Sequence, residues 1–218
     1  MILYEPINTL PKIERVEVNG KRFYQTPEGN LYPSVTTILD SGDKSFLTEW
    51  KARVGEEEAR RVTARAANRG TRLHAICEDY IKGNSFTLSP FDKDTWLTFK
   101  PVVDRIEKVV ALESKLYSDK LRVAGTVDCV GVYNGKMSII DFKTSKRLKS
   151  KSDIPNYFMQ TAAYACAWYE LTGEKINQLV ILMSVDDENP LVFIEPASPW
   201  LVEFAKLRKA FDSSQASC

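Results

Sequence analysis

The stretch that decides the fold runs from Leu121 to Thr144 and reads LRVAGTVDCVGVYNGKMSIIDFKT. Two β-branched, apolar runs flank Asn134-Gly135, a dipeptide that favours the two-residue type I′ turn, so the stretch predicts a β-hairpin. In such a turn Tyr133 and Lys136 face each other and fix the register of both strands. The partner of every residue on the hairpin then follows by counting back from the turn.

This register brings two carboxylates together. Asp128 lies opposite Asp141 with Cβ atoms about 5 Å apart, and Lys143 projects from the same face. The rest of the hairpin is apolar, and two like charges in partly desolvated surroundings are destabilising unless something neutralises them. Either a divalent cation or a shared proton would offset the charge of the two carboxylates. A surface acidic pair with Lys143 as counter-charge is the alternative, in particular if a bulge at Gly131 shifts the register.

The cation hypothesis makes a chemical prediction. Hard carboxylate oxygens without nearby thiolates favour Mg²⁺ or Mn²⁺. The ammonium group of Lys143 would then lie close to the metal, where it can orient a water molecule and stabilise developing negative charge.

Composition sets the wider frame. The chain has 218 residues, 44% of them hydrophobic, and its 30 basic and 29 acidic residues leave a formal charge of +1. These values predict one globular domain over 1–218 and exclude a disordered chain or a binder that works by bulk charge. No apolar run approaches the ~20 residues of a membrane span, and the N-terminus lacks a targeting pattern, so we expect a cytoplasmic protein.

The order of elements predicts an α/β (α+β) fold with a central mixed β-sheet flanked by helices. A hairpin around Asn19-Gly20 opens an N-terminal region, 1–43, and a helical region covers 44–112. In that region Gly55 and Gly70 are expected to break the helices, and 92–112 forms a further helix. The catalytic sheet and the helix 156–171 occupy 113–196, and a closing helix capped by Ser198 follows in 197–218.

Two pairs of polar residues are spaced four apart in predicted helices, so that each pair shares one helix face. His74, the only histidine, pairs in this way with Glu78, and Gln160 pairs with Tyr164. A lone histidine is also commonly structural, and Tyr164 among alanines also fits helix packing. The spacing alone leaves both interpretations open.

Together these motifs resemble the PD-(D/E)xK nuclease superfamily, and specifically its RecB-like exonuclease branch. The shared order is G-x-x-x-H-x-x-x-E at 70–78, G-T-V-D at 125–128, I-I-D-F-K-T at 139–144 and Q-x-x-x-Y at 160–164. The run T-P-x-G-x-x-Y-P-S-V-T-T-I-L at 26–39 is similar to one in phage exonucleases and in mitochondrial genome maintenance exonucleases. The resemblance covers about residues 20–195 and implies a restriction-endonuclease-like core with a helical, arch-like insertion.

The resemblance also implies a role for each motif residue. The metal ligands would be His74, Asp128, Asp141 and the backbone carbonyl of Phe142. Lys143 would be the catalytic lysine, acting with Asp128 and Asp141, and Glu78 would bind a second metal or orient His74. Gln160 and Tyr164 would contact the DNA backbone or brace the site.

The implied activity is hydrolysis of DNA phosphodiester bonds by an activated water, from the end of a single strand, with Mg²⁺ or Mn²⁺. Its setting would be DNA recombination, replication or degradation, with proteins of those processes as further partners and no membrane. In this branch the strand passes through a helical arch, for which 44–69 is the candidate. A flap or structure-specific endonuclease with the same site, and a non-catalytic nucleic-acid-binding module, remain as alternatives.

Two cofactors known in related proteins are not expected. Some relatives carry an iron–sulfur cluster on one N-terminal and three C-terminal cysteines, whereas the cysteines here are scattered, so we expect no cluster. The chain also lacks the G-x-x-x-x-G-K-[ST] motif, so we expect no nucleotide cofactor. The phage-like N-terminal run suggests the cytosol of a bacterium or of a phage-infected host.

Basic residues flank the motifs in sequence and are the candidate DNA-binding groups, because a phosphate backbone is bound by local positive charge. Between 51 and 72 they outnumber the acids, and the loop after the lysine motif is also basic. The predicted contacts from these two segments are Arg69, Arg72, Lys146 and Arg147. Ser34, Thr36 and Thr37 are predicted to donate hydroxyl groups to a phosphate, or else to cap the helix that follows them.

Overall fold

A computed structural model describes residues 2–18, 20–42 and 45–216, and the predictions that fall on Asn19, Lys44 and Cys218 lie outside these ranges. The strands are β1 (Leu3–Tyr4), β2 (Glu14–Val18), β3 (Lys21–Gln25), β4 (Leu31–Pro33), β5 (Ile106–Ser118), β6 (Val123–Tyr133), β7 (Lys136–Ser145), β8 (Gln178–Val185) and β9 (Leu191–Pro196). The helices are α1 (Val35–Leu39), α2 (Ser45–Val54), α3 (Glu56–Lys82), α4 (Pro90–Val103), α5 (Pro155–Thr172) and α6 (Ala197–Ala216). No helix of the described residues is long and apolar enough to cross a membrane.

The central sheet has six strands in the order β1-β5-β6-β7-β8-β9. It is mixed, because β1–β5 and β7–β8 are parallel whereas β5–β6, β6–β7 and β8–β9 are antiparallel. A separate antiparallel sheet, β2-β3-β4, precedes α1. The predicted fold class, a mixed sheet flanked by helices, is confirmed.

The two faces of the sheet bury different helices because side chains alternate along each strand. On one face α1, α5 and α6 cover Val130 and Ile139. On the other face α3 and α4 cover Cys129, Ile140 and Phe142. All five side chains are essentially inaccessible to solvent, and full burial of a large apolar side chain contributes about 1.5–3 kcal/mol. The hairpin therefore lies at the centre of the hydrophobic core, buried on both sides as its sequence predicts.

Two helix assignments made from the sequence are wrong. The segment 92–112 is not one helix, because α4 ends at Val103 and β5 begins at Ile106, so the sheet starts earlier than 113. Since β5 buries apolar side chains on both faces, its sequence lacks the alternation that identifies a strand. Gly70 does not break α3, because a glycine in a helix costs only about 1 kcal/mol and the buried stripe of α3 continues past it.

Other boundaries agree more closely. Gly55 separates α2 from α3 with a left-handed φ of 85°, and Gly173 ends α5 with a φ of 77°. The closing helix begins at Ala197, so Ser198 lies within its first turn and is not its N-cap.

Candidate active site

The hairpin has the register that its turn predicts. Residue pairs run from Tyr133–Lys136 to Cys129–Ile140 without a bulge between β6 and β7. The irregularities lie in β5 instead, which approaches so closely that a Cβ on Gly131 would be 2.3 Å from the carbonyl oxygen of Lys108. The regular pairs stop one residue before the two aspartates, and there Asp128 Oδ2 accepts the backbone N–H of Phe142 at 2.9 Å. The carboxylate of Asp128 thus crosses to the partner strand.

His74 reaches this point from α3. Its Nε2 atom lies 2.7 Å from the carbonyl oxygen of Phe142, so two of the predicted metal ligands are in contact. Its Nδ1 atom lies 3.6 Å from Asp128 Oδ2 and 3.5 Å from Glu113 Oε1. The single histidine is therefore part of the carboxylate cluster.

Glu113 is a site residue that sequence reasoning missed. One ligand atom from each of His74, Glu113 and Asp128 lies within 4.8 Å of the others. The pairs Leu112–Cys129 and Ser114–Val127 bracket Glu113 and place it opposite Asp128. The backbone of Glu113 has a φ of 45°, a left-handed conformation that is uncommon outside glycine and clusters at functional sites. The residue was missed because the segment before it was assigned to a helix, and only the pairing of β5 with β6 brings it to Asp128.

Glu78 does not take the position that the resemblance implies. Its carboxylate binds Lys82 one turn further along α3, with Oε1 2.5 Å from Nζ. Among the described residues, the carboxylates grouped with His74 as candidate metal ligands are those of Glu113 and Asp128. Because an i, i+4 spacing only places two residues on one helix face, the side chain of Glu78 was free to turn toward Lys82.

Asp141 and Lys143 form a buried ion pair beside this cluster. Lys143 Nζ lies 2.7 Å from Asp141 Oδ1 in hydrogen-bond geometry. It also lies 2.6 Å from Oδ2, but outside that geometry, so Oδ2 is buried without a hydrogen bond. The ammonium offsets the charge of this oxygen, but the oxygen retains the capacity to accept a further bond.

Burial and the negative charge that is concentrated in the cluster shift the pKa values of Asp141, His74 and Lys143. Burial raises the pKa of Asp141 to about 6, although Lys143 acts in the opposite direction. Burial lowers the pKa of His74, but Glu113, Asp128 and Asp141 outweigh this effect and raise it to about 9. Burial also acts to lower the pKa of Lys143, yet the aspartates raise it above its usual value. In the metal-free protein, protons on His74 and Lys143 therefore compensate the carboxylates.

The donor set fits a hard divalent cation. The oxygen donors are carboxylates and one backbone carbonyl, with a single imidazole, a set suited to Mg²⁺ or Mn²⁺. Asp141 Oδ2, which has no hydrogen bond, and the close pair of His74 Nε2 and the Phe142 carbonyl oxygen mark positions where a cation would bind the same atoms. The thiols of Cys77 and Cys129 are buried nearby, and burial raises the pKa of each.

α5 supports the ion pair from the other side of the hairpin. Tyr164 is buried and hydrogen-bonds to Gln160, and burial together with the aspartate charges raises the pKa of its hydroxyl. A Cβ on Gly125 would lie 2.6 Å from that hydroxyl, so Gly125 makes room for Tyr164. Tyr157, which sequence reasoning also missed, places its ring centroid 5.0 Å from Lys143 Nζ in a cation–π contact.

The predicted DNA-binding residues divide into two groups. Arg69, Arg72 and Lys146 line one cavity of about 270 Å³ beside α3, and Arg147 is exposed on the loop after β7. Ser34 instead caps α1, because its hydroxyl accepts the N–H of Thr37 at 3.0 Å and bonds the hydroxyls of Thr36 and Thr37. The hydroxyl groups of Ser34, Thr36 and Thr37 therefore take part in the cap of α1, as the alternative prediction has it. Arg69, Arg72 and Lys146 lie together in a groove that we call the basic groove.

Comparison with known proteins agrees with this architecture. Residues 94–210, which cover more than half of the chain, match the model of the PD-(D/E)XK nuclease superfamily. The chain therefore belongs to the PD-(D/E)XK nuclease superfamily.

Two proteins that are similar in sequence are exonucleases by name. Mitochondrial genome maintenance exonuclease 1 of Homo sapiens is 30% identical over 152 residues, which cover 62% of this chain and 43% of that protein. The protein of the same name from Xenopus tropicalis is 32% identical over 146 residues, covering 61% and 42%. The chain thus spans less than half the length of these relatives. The crystal structure of SSO0001 aligns over 81% of this chain and 82% of its own, at 16% identity and a TM-score of 0.41.

Proposed function

We propose that the protein is an Mg²⁺- or Mn²⁺-dependent DNA exonuclease that hydrolyses phosphodiester bonds from the end of a single strand. The observation that carries this proposal is the convergence of His74, Glu113, Asp128 and the Phe142 carbonyl beside the Asp141–Lys143 pair. Membership of the nuclease superfamily supports the reaction, and the names of the relatives support attack from an end.

The metal would be held by His74, Asp128, Asp141 and the Phe142 carbonyl, with Glu113 as an additional carboxylate. A divalent cation at this position would supply Lewis acidity and would lower the pKa of a bound water. The Phe142 N–H fixes the orientation of Asp128 by donating to its carboxylate. Loss of the proton from His74 frees the imidazole nitrogen for coordination, because only the neutral ring is a ligand.

Lys143 would act on the scissile phosphate. Its raised pKa keeps the ammonium charged at neutral pH, so it donates hydrogen bonds and does not act as a general base. Preorganised donors aimed at developing negative charge are a large contribution to catalysis. Asp141 on one side and the ring of Tyr157 on the other hold the ammonium in place.

The strand would approach along α3. The basic groove lies on the helical region for which an arch was predicted, and Lys146 extends it from the loop that follows β7. A backbone path of this kind binds single strands irrespective of sequence. We assign the protein to DNA recombination, replication or degradation, alongside proteins of those processes, and to the cytosol of a bacterium or of a phage-infected host.

The test is digestion of end-labelled linear and circular single-stranded DNA by the purified chain with Mg²⁺ or Mn²⁺. We expect mononucleotides or short products from the linear strand, an intact circle, and loss of cleavage in Lys143→Ala and in Asp141→Ala. Lys209→Ala, at an exposed position on α6, is the matched control and should retain full activity.

The other outcomes identify the alternatives. Cleavage of the circle would replace the exonuclease by a structure-specific endonuclease with the same site. Tight strand binding by the parent protein without metal-dependent cleavage would indicate a non-catalytic binding module. Full activity in both variants would refute the assignment of the site.

A further inference from the structure

Two cavities adjoin each other along α3 and share the side chains of Arg69 and Arg72. The first, of about 270 Å³, is the basic groove that also contains Arg65 and Lys146. The second, of about 300 Å³, lies between α3, the start of α4 and the carboxyl ends of β7 and β8. Thr144, which follows Lys143 on β7, and Leu73, which precedes His74 on α3, line the second cavity, so this cavity borders the two elements that carry the candidate site.

The second cavity is lined by two arginines and three aspartates, so each arginine has an acidic partner available. Arg69 pairs with Asp186, and Arg72 Nε lies 2.9 and 3.2 Å from the two carboxylate oxygens of Asp92. A cavity with guanidinium donors next to carboxylate acceptors is a poor site for a phosphate, because each cation already has an anionic partner. It suits a neutral group that carries donors and acceptors side by side, which describes the edge of a nucleobase.

Two groups in the second cavity make few favourable contacts with the rest of the protein. Arg69 Nε is buried without a hydrogen-bond partner among the described residues, although a buried donor left unpaired is costly. Phe91, at the start of α4, lines the cavity with 89% of its surface exposed. An exposed aromatic ring beside a polar cavity is a surface on which bases of single strands can stack.

We propose that the second cavity is a nucleobase subsite, in which a base of the strand next to the scissile phosphate stacks on Phe91. The base edge meets the Arg69–Asp186 and Arg72–Asp92 pairs, while the backbone follows Arg65 and Lys146 in the basic groove, whose described lining residues include no acid. A volume of about 300 Å³ is at the lower limit of small-molecule pockets, so the subsite admits one base and not a run of them. This inference rests on the proposed function, since it takes a DNA strand as the ligand.

The test scans a short single-stranded oligonucleotide with one abasic position at a time. Binding is measured by fluorescence anisotropy to the full chain carrying Lys143→Ala, which prevents cleavage during the titration. We expect one position at which base removal weakens binding about five- to a hundredfold, the range of base–aromatic stacking, and little effect elsewhere.

Adding Phe91→Ala should weaken binding of the intact strand by a similar factor and abolish the effect at that position, whereas Phe91→Trp should preserve it. The matched control is Leu97→Ala, which removes an exposed apolar side chain from the same helix outside the cavity and should change neither quantity. Because Phe91 is exposed, its removal leaves the core intact.

Failure of this inference and failure of the proposed function are distinguishable. A flat abasic profile, or a profile unchanged by Phe91→Ala, overturns the subsite even if the parent protein degrades DNA. Conversely, a position-specific effect that depends on Phe91 supports the subsite even if no cleavage is found with either metal.

Discussion

One helix, α3, serves two regions that treat charge in opposite ways. Near its C-terminal half His74 enters a cluster of carboxylates in which Asp128 and Asp141 are nearly inaccessible, with side-chain exposures of 9% and 3%. In its N-terminal half Arg65 is exposed and lines the open groove. Solvent therefore screens the charges of the groove but not those of the carboxylate cluster.

The two regions differ in how strongly their charges interact, because one is buried and the other is exposed. In the carboxylate cluster each group shifts the pKa of its neighbours, because low-dielectric surroundings strengthen their interaction. In the groove Arg65 is exposed to solvent, so under the proposed function it would contribute a modest and salt-sensitive share of strand affinity. Substitutions in the first region should therefore change metal binding and turnover, and those in the second should change strand affinity.

The largest expected effect in these comparisons belongs to Glu113. Glu113→Gln removes a carboxylate charge from the cluster, so Mn²⁺ affinity should fall at least about tenfold, as it does when groups that support a metal site are lost. Isothermal titration calorimetry and cleavage at varied Mn²⁺ measure the change. Glu78→Gln is the matched control and should stay within about twofold of the parent. The reverse pattern would restore Glu78 to the role that the sequence implied.

The metal-free protein should lose stability as the pH rises. The pKa of His74 is about 9 in the folded chain, against 6.5 as its usual value, so the folded state binds the proton more tightly. The resulting stabilisation is complete below pH 6.5 and is lost as the pH rises through 9, with a size on the order of 3 kcal/mol. Urea unfolding with chelator at pH 6 and pH 9 measures it.

His74→Gln is the control for this prediction, because it removes the titrating group. The variant should show a clearly smaller loss of stability over the same pH interval. An equal loss in parent and variant would show that the imidazolium does not compensate the carboxylates.

A substitution in the groove should act on strand affinity alone. Arg65→Ala should raise KM about fivefold at unchanged kcat and reduce the salt dependence of binding by about one phosphate contact. Arg61→Ala is matched in chemistry and helix, but Arg61 pairs with Glu58 at 2.7 Å and lies outside the groove, so its KM should not change. A fall in kcat for Arg65→Ala would contradict the separation of the two regions.

The smallest effect is expected at Tyr157. Tyr157→Leu removes the aromatic face beside Lys143 and should lower kcat about threefold, the scale of a cation–π contact. Tyr157→Phe keeps the ring and should keep the rate. Steady-state kinetics of both variants measure the difference, and equal losses would indicate that the hydroxyl is the group that matters.

Much of the site follows from local sequence. The Asn134-Gly135 turn alone determines the pairing of β6 with β7, and hence the proximity of Asp128 to Asp141. The Gly173 stop and the apolar periodicity give α5 with its Tyr164. These features are predictable because short-range turn chemistry and side-chain alternation fix them without reference to the rest of the chain.

The sequence by itself therefore determined the hairpin, its buried carboxylates and the lysine beside them. Only the tertiary structure decided that Glu113 joins His74, that Glu78 turns to Lys82, and that Arg69 and Arg72 border two cavities. Each of these depends on elements distant in the chain that meet across the sheet. Distant pairing is set by the burial of whole faces, and neither helical spacing nor local propensity specifies it.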